Sequence, residues 1–269
     1  MKKHLQFFTV LSASFLSAVT ARAGDGKEAV FEPAPRNPIF ISYLVDYHTM
    51  LIDYAVPNPS VPETFYRADE FYTVTNTLLL GTTVADTAIV SLAIPLEYSY
   101  VEQGSTDPFS DFGSDRSFGL GDISVNVFLP LYYTETTTIY NSSDFGIPTR
   151  TRNSLLGSRT GWVDTGLGVI QDFGLVEFIG GVTAGHYWYE GQDNEFIWEY
   201  RGGLARNFGE RFRLSGFVAD APEQDISRVE ASLGIVTGPA GNLLEFFGSH
   251  DISGPNESSF FGVGYHFSY

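Results

Sequence analysis

The side chains best equipped for chemistry are charged residues spaced at alternate positions between apolar ones. Arg201, Arg211, Arg213 and Arg228 recur in this pattern, together with Glu195, Glu199, Glu230 and Glu245. Alternation places each set on one face of an extended strand. Neighbouring strands lie about 4.8 Å apart, so these side chains can meet as a wall of mixed charge. A wall of this kind suits a constriction whose transverse field orients solutes and excludes bulky apolar ones. The same residues would serve equally as an ion-paired plug filling a narrow interior. Asp46, His48, Glu97, Asp122, Asp164 and Glu177 fall on matching faces of other segments.

Three further arginines, Arg150, Arg152 and Arg159, share one connection. Folded inward, they would set positive charge at a pore mouth. The simpler reading is a solvated loop that meets lipopolysaccharide phosphates or neighbouring acidic loops. Hydrolytic chemistry has one thin lead, His250 followed by Ser253 and Asn256. A triad needs a base oriented by a third group and an oxyanion site, and a single polar loop supplies neither. His186 lies on an apolar face near Trp188, and Asp69/Glu70 and Asp193/Glu195 occupy rim or loop positions. No GxSxG, HExxH, phosphate-loop or dinucleotide motif is present. The absence of cysteine removes thiolate zinc sites and cysteine nucleophiles. The expectation is therefore a protein that is not an enzyme, with no cofactor and no metal.

The elements that must position these charges read as strands. The chain has 269 residues with 28 Gly, 13 Pro and 15% aromatics, a composition that leans towards β structure. Residues 87–101 alternate cleanly, with Leu92, Leu96 and Tyr98 on one face and Ser91, Glu97 and Ser99 on the other. Residues 195–206, 211–219, 227–237 and the C-terminus repeat the pattern. In a soluble sandwich the apolar face would point into a core. In a membrane barrel it would meet lipid, with the charged face lining a lumen.

Three features favour the barrel. Tyr and Trp sit at strand ends, at Tyr98/Tyr100, Trp188 and Trp198/Tyr200, as in interfacial girdles. The segments are long, about 10–16 residues against a usual 5–6. Links alternate between short and long. Twelve strands are expected, near 39–52, 68–80, 87–102, 117–129, 132–142, 160–172, 174–189, 195–206, 211–220, 227–237, 242–250 and 258–269. Turns fall at 81–86, 130–131, 173, 207–210 and 238–241, and loops at 53–67, 103–116, 143–159, 190–194, 221–226 and 251–257. The strand at 132–142 carries the weakest pattern, and the even count depends on it.

The N-terminus fits this class. Lys2 and Lys3, an apolar Leu5–Thr20 and the small residues Ala21 and Ala23 form a secretory signal peptide, residues 1–23. Residues 24–38 are polar and proline-rich, a flexible periplasmic leader, and 39–269 form the barrel. With 32 acidic against 15 basic residues, net −17, the chain lacks the basic footprint of a nucleic-acid binder.

Gly119-Leu120-Gly121-Asp122, followed by alternating Ile123, Val125, Val127 and Leu129, resembles the Gly-Leu-Gly-Asp strand of the MetA-pathway phenol-degradation family of outer-membrane barrels. The last strand, with Val263, Tyr265, Phe267 and Tyr269, is similar to the terminal strand by which outer-membrane proteins are recognised for assembly. The terminal residue is Tyr269 where Phe is usual. The family match covers about 15 residues; the remainder is pattern. The resemblance implies a Gram-negative outer-membrane barrel passing small hydrophobic or aromatic solutes. Its partners would be outer-membrane lipid, lipopolysaccharide and the barrel-assembly machinery. The sequence thus points to an all-β, antiparallel up-and-down barrel acting as a passive channel. A closed-lumen structural or adhesion barrel and an exported soluble β-sandwich binding module stand as alternatives.

Overall fold

A computed structural model describes residues 39–57, 64–84, 87–103, 114–151, 160–189, 193–209, 211–237, 242–254 and 257–268. These form thirteen antiparallel segments: β1 (Ile39–Pro57), β2 (Thr64–Val84), β3 (Ala88–Gln103), β4 (Ser114–Leu120), β5 (Ile123–Tyr133), β6 (Thr137–Ile147), β7 (Thr160–Asp172), β8 (Glu177–Tyr189), β9 (Glu195–Phe208), β10 (Phe212–Ala221), β11 (Ile226–Thr237), β12 (Asn242–Ser253) and β13 (Glu257–Ser268). Each pairs with its sequence neighbour, and β1 pairs with β13 from Phe40↔Ser268 to Leu51↔Glu257. The sheet therefore closes on itself and leaves no free first or last edge, the solution that satisfies every ladder.

Thirteen segments make twelve staves. Both β4 and β5 pair with the same edge of β3, Leu96↔Leu120 above and Ala93↔Ser124 below, so they are two halves of one strand. The break falls at Gly121-Asp122, opposite Pro95. The Pro95 carbonyl still accepts the Gly121 N–H at 2.9 Å, but proline has no N–H to return.

The two-residue period sorts the side chains as expected. Leu167 (55%), Phe196 (53%), Leu204 (54%) and Val218 (53%) are exposed on the outer surface. Ser91, Ala93, Glu97 and Ser99 are buried on the inner one. Closely spaced turns, the start of β1 and the end of β13 gather at one rim. There, Gly174 adopts φ +85° in the link 173–176, and its N–H donates to Asp172 Oδ1 at 2.6 Å.

Two departures from the expected boundaries are the largest. The turn placed at 130–131 lies at 134–136, and the following strand is 137–147, where 132–142 was expected. Pro130 sits inside β5 beside a register shift between Pro130 and Tyr132, so the proline marks a bulge and no reversal. The reversal is made by Thr134, whose hydroxyl accepts the N–H groups of Thr136 and Thr137 at 3.3 and 3.0 Å. Residues 53–57 and 64–67, expected in a loop, are strand, because β1 and β2 stay paired out to Pro57↔Thr64.

Candidate functional site

The interior is the candidate site. It is built from large apolar side chains in some places and from ion pairs in others. Phe128, Tyr140, Ile170, Ile179 and Ala205 form one apolar cluster inside the barrel. Leu44, Leu79 and Phe247 form a second, and Trp162, Tyr187, Ile197 and Ala221 a third. Several of the rings lie flat against glycines of neighbouring strands. A Cβ on Gly168 would come within 2.3 Å of Tyr140, one on Gly146 within 1.9 Å of Trp162, and one on Gly262 within 2.4 Å of Phe247. The missing side chains let the rings lie on the wall, the packing known as aromatic rescue of glycine.

The charged residues come together, though not as a simple ladder between neighbours. Arg213 grips Glu177 with both terminal nitrogens, at 3.0 and 2.7 Å, and also donates to Asn207 Oδ1 at 3.2 Å. Glu177 is on β8 and Arg213 on β10, so the fork spans β9 above the buried Ala205. Arg201 likewise reaches from β9 over β10 to Glu230 on β11, with its guanidinium 4.2 Å from the Phe217 ring centroid. Arg228 pairs with its cross-strand neighbour Asp251 at 2.8 Å. Glu245 is fully buried (0% exposed), 3.5 Å from His266 Nε2, while His266 Nδ1 lies 2.8 Å from Ser42 Oγ. Glu199 lines the larger cavity and Glu195 begins β9. Arg211 stands apart, exposed in the turn before β10.

Arg150 does fold inward. Its guanidinium reaches Glu97 Oε1 and Asp122 Oδ2, both at 3.2 Å, and its own N–H donates to Asp122 Oδ1 at 2.8 Å. The flanking threonines stitch the same segment to the strand break. Leu120 N–H donates to Thr151 Oγ1 at 3.0 Å, and Ile123 N–H to Thr149 Oγ1 at 2.9 Å. Residues 149–151 thus supply the break with the hydrogen bonds that a continuous strand would have made. Arg152 and Arg159 lie outside the described residues.

Sequence reasoning missed Asp144, because the misplaced turn put it in a loop. It lies on β6 directly opposite Asp164 on β7. Trp162 Nε1–H donates to Asp144 Oδ2 at 2.8 Å, and Tyr187 O–H donates to Asp164 Oδ2 at 2.7 Å. Two-residue alternation counted from a turn at 134–136 would have found this pair.

The histidine lead resolves differently from its expected pairing. His250 Nδ1 lies 2.9 Å from Ser259 Oγ, while Ser253 Oγ accepts the Ser227 N–H at 3.0 Å. Asn256 lies outside the described residues. No group of three or more His, Asp or Glu side chains among the described residues is arranged to hold a metal.

The described residues enclose two cavities of note inside the barrel. The larger, about 130 Å³, is bounded by Asp144, Asp164, Glu199 and Arg201 together with Tyr140 and Ile197. The smaller, about 60 Å³, lies between Asp46, Glu97, Arg150, Trp162 and Phe247.

No protein-family model and no curated protein matches the sequence. The fold does have solved counterparts. The chain is similar to the COG4313 outer membrane channel from Pseudomonas putida F1, with TM-score 0.60 and 14% identity, over 90% of this chain and 98% of that one. It is also similar to the translocator domain of the autotransporter NalP from Neisseria meningitidis, with TM-score 0.52 and 11% identity, over 97% and 95%. At these identities the likeness establishes the fold: an outer-membrane-type β-barrel of twelve staves.

Proposed function

We propose that this barrel sits in a Gram-negative outer membrane and passes small solutes by passive diffusion through its interior. The observation that carries this reading is the inversion of polarity. Leu167, Phe196, Leu204 and Val218 face outward, while Arg150, Arg201, Arg213, Arg228 and Glu230 are paired inside around residual space. A closed sheet has no other use for an apolar exterior of this extent than a lipid environment. The likeness to the Pseudomonas putida channel supports the same architecture.

Selectivity would rest on Glu195, Glu199, Arg201, Arg213, Arg228, Glu230 and Glu245, with Arg211 at the rim and Arg150 holding the wall break. The Gly-Leu-Gly-Asp resemblance narrows the solute towards small hydrophobic or aromatic molecules, and the wall-lying Tyr140 and Phe247 suit such cargo. Export by residues 1–23, a periplasmic leader at 24–38, contacts with lipopolysaccharide and recognition of the terminal strand by the assembly machinery complete the proposal. In that strand Val263, Tyr265 and Phe267 face outward, and Tyr269 lies outside the described residues.

The bridging arginines and the three apolar clusters favour one competing reading, a closed structural or adhesion barrel. Planar-bilayer conductance and solute flux into proteoliposomes separate the two. Reproducible conductance with uptake of small aromatics is the expected result. A folded barrel that neither conducts nor admits solute would overturn the channel.

A further inference from the structure

Five internal carboxylates are met by an arginine: Glu97 and Asp122 by Arg150, Glu177 by Arg213, Glu230 by Arg201 and Asp251 by Arg228. Asp144 and Asp164 are different. They are direct cross-strand partners, and they accept from neutral groups, an indole N–H and a phenol O–H among them. Those donors reach Oδ2 in both cases. Oδ1 of Asp144 and Oδ1 of Asp164 are buried and have no hydrogen-bond partner, and Asp164 is only 7% exposed. Both side chains border the larger cavity, where Glu199 and Asp220 bring the carboxylates to four. The two arginines in that lining, Arg201 and Arg228, are engaged by Glu230 and Asp251.

Like charges directly opposite each other are unfavourable, and so is each unsatisfied buried oxygen. One ligand type removes both costs. A primary ammonium carries a positive charge and three donors, enough to bridge two free carboxylate oxygens. A bare metal ion fits less well, since the described residues offer no three-ligand group here. Part of the remaining wall is apolar and aromatic, with Phe128, Tyr140, Ile179 and Ile197, and part is polar, with Asn126, Ser142 and Gln224. The cavity of about 130 Å³ compares with the engineered cavity of about 150 Å³ that admits benzene. Gly185 holds the carboxylate in place, because a Cβ there would lie 2.2 Å from Asp164 Oδ1.

We propose that Asp144 and Asp164 form an internal recognition site for the ammonium group of a small arylalkyl amine, whose ring occupies the apolar part of the same cavity. This rests on the channel reading and names a cargo class for it. The charge on the amine distinguishes it from the neutral aromatics considered above.

The test uses the full folded barrel in detergent micelles and in proteoliposomes, with 2-phenylethylamine and its neutral analogue 2-phenylethanol as probes. Calorimetry near neutral pH should show the amine binding at least about tenfold tighter than the alcohol. Asp144→Asn and Asp164→Asn should each remove most of that preference and leave alcohol binding unchanged. Gly185→Ala should weaken the amine selectively by displacing the carboxylate. Equal binding of the two probes to the unsubstituted protein overturns the site, and this comparison requires no variant to fold. Amine preference surviving in the double Asn variant overturns it as well, as does equal competition by sodium ion. Selective amine binding without flux would refute the channel and leave the site standing. Flux of both probes without amine preference would do the reverse.

Discussion

Replacing Arg150 with alanine isolates the charged side chain that, beside Thr149 and Thr151, ties a connecting segment into the barrel wall. Its guanidinium lies 3.2 Å from Glu97 and 3.2 Å from Asp122, whose side chains are 4% and 2% exposed. At an effective dielectric near 20, each contact represents about 5 kcal/mol of gross Coulomb attraction, much of it offset by desolvation. Removing the cation leaves two buried carboxylates facing each other without compensation, for which about 3–5 kcal/mol of lost stability is expected. Urea unfolding in phospholipid vesicles, followed by tryptophan fluorescence and heat-modifiable gel mobility, measures it. The cost should fall to under about 2 kcal/mol in a Glu97→Gln, Asp122→Asn background, where no bare charge remains. The backbone bond from Arg150 N–H to Asp122 survives in R150A, so the difference reports the guanidinium alone. If R150A unfolds within about 1 kcal/mol of the parent, or costs the same in both backgrounds, the pairing does not hold the break closed.

Other perturbations address the wall and its lining. Leu92→Arg, on the outer face, should cost about 2–4 kcal/mol near the membrane midplane and be read in the same unfolding assay; no change would place Leu92 away from lipid. Val45 and Val263 are cross-strand partners on the joining strands and share the outward face. In this cysteine-free chain, Val45→Cys with Val263→Cys should form an intramolecular disulfide under oxidation, seen as a gel shift, and its absence would refute closure. Gly146→Ala should displace the Trp162 ring, break its bond to Asp144 and cost about 1–3 kcal/mol. A red-shifted indole emission in a Trp188→Phe, Trp198→Phe background checks it, and an unshifted spectrum would contradict the packing.

The staves were readable because lipid and lumen impose opposite demands on successive residues. Alternation in 87–101 or 227–237 therefore survives without tertiary information. Proline misled. At Pro130 it reads as a turn but occupies a bulge, while the real reversal uses the hydroxyl of Thr134, a weaker compositional signal. That one displacement shifted a strand and concealed Asp144. The Gly-Leu-Gly-Asp stretch was visible as a motif, but its effect on the wall was not. The break at Gly121-Asp122 becomes intelligible only once Pro95 is known to lie opposite and residues 149–151 to fill in. Which carboxylate each arginine meets was equally hidden, since Arg213 crosses an intervening strand above Ala205 and Arg201 crosses one over the Phe217 ring, a choice set by side-chain reach.

The glycines beneath the lumen rings carry a consequence for how such a protein diversifies. Tyr140 rests on Gly168 and Phe247 on Gly262 like paving on a bed cut to receive it. A single added methyl would lift a slab edge-on into the bore and narrow it by a fraction of a ring's width. At Gly168 the outward surface and the seam between β1 and β13 would be untouched. The gauge of the passage can therefore drift through small inner replacements while the shell stays compatible with its surroundings.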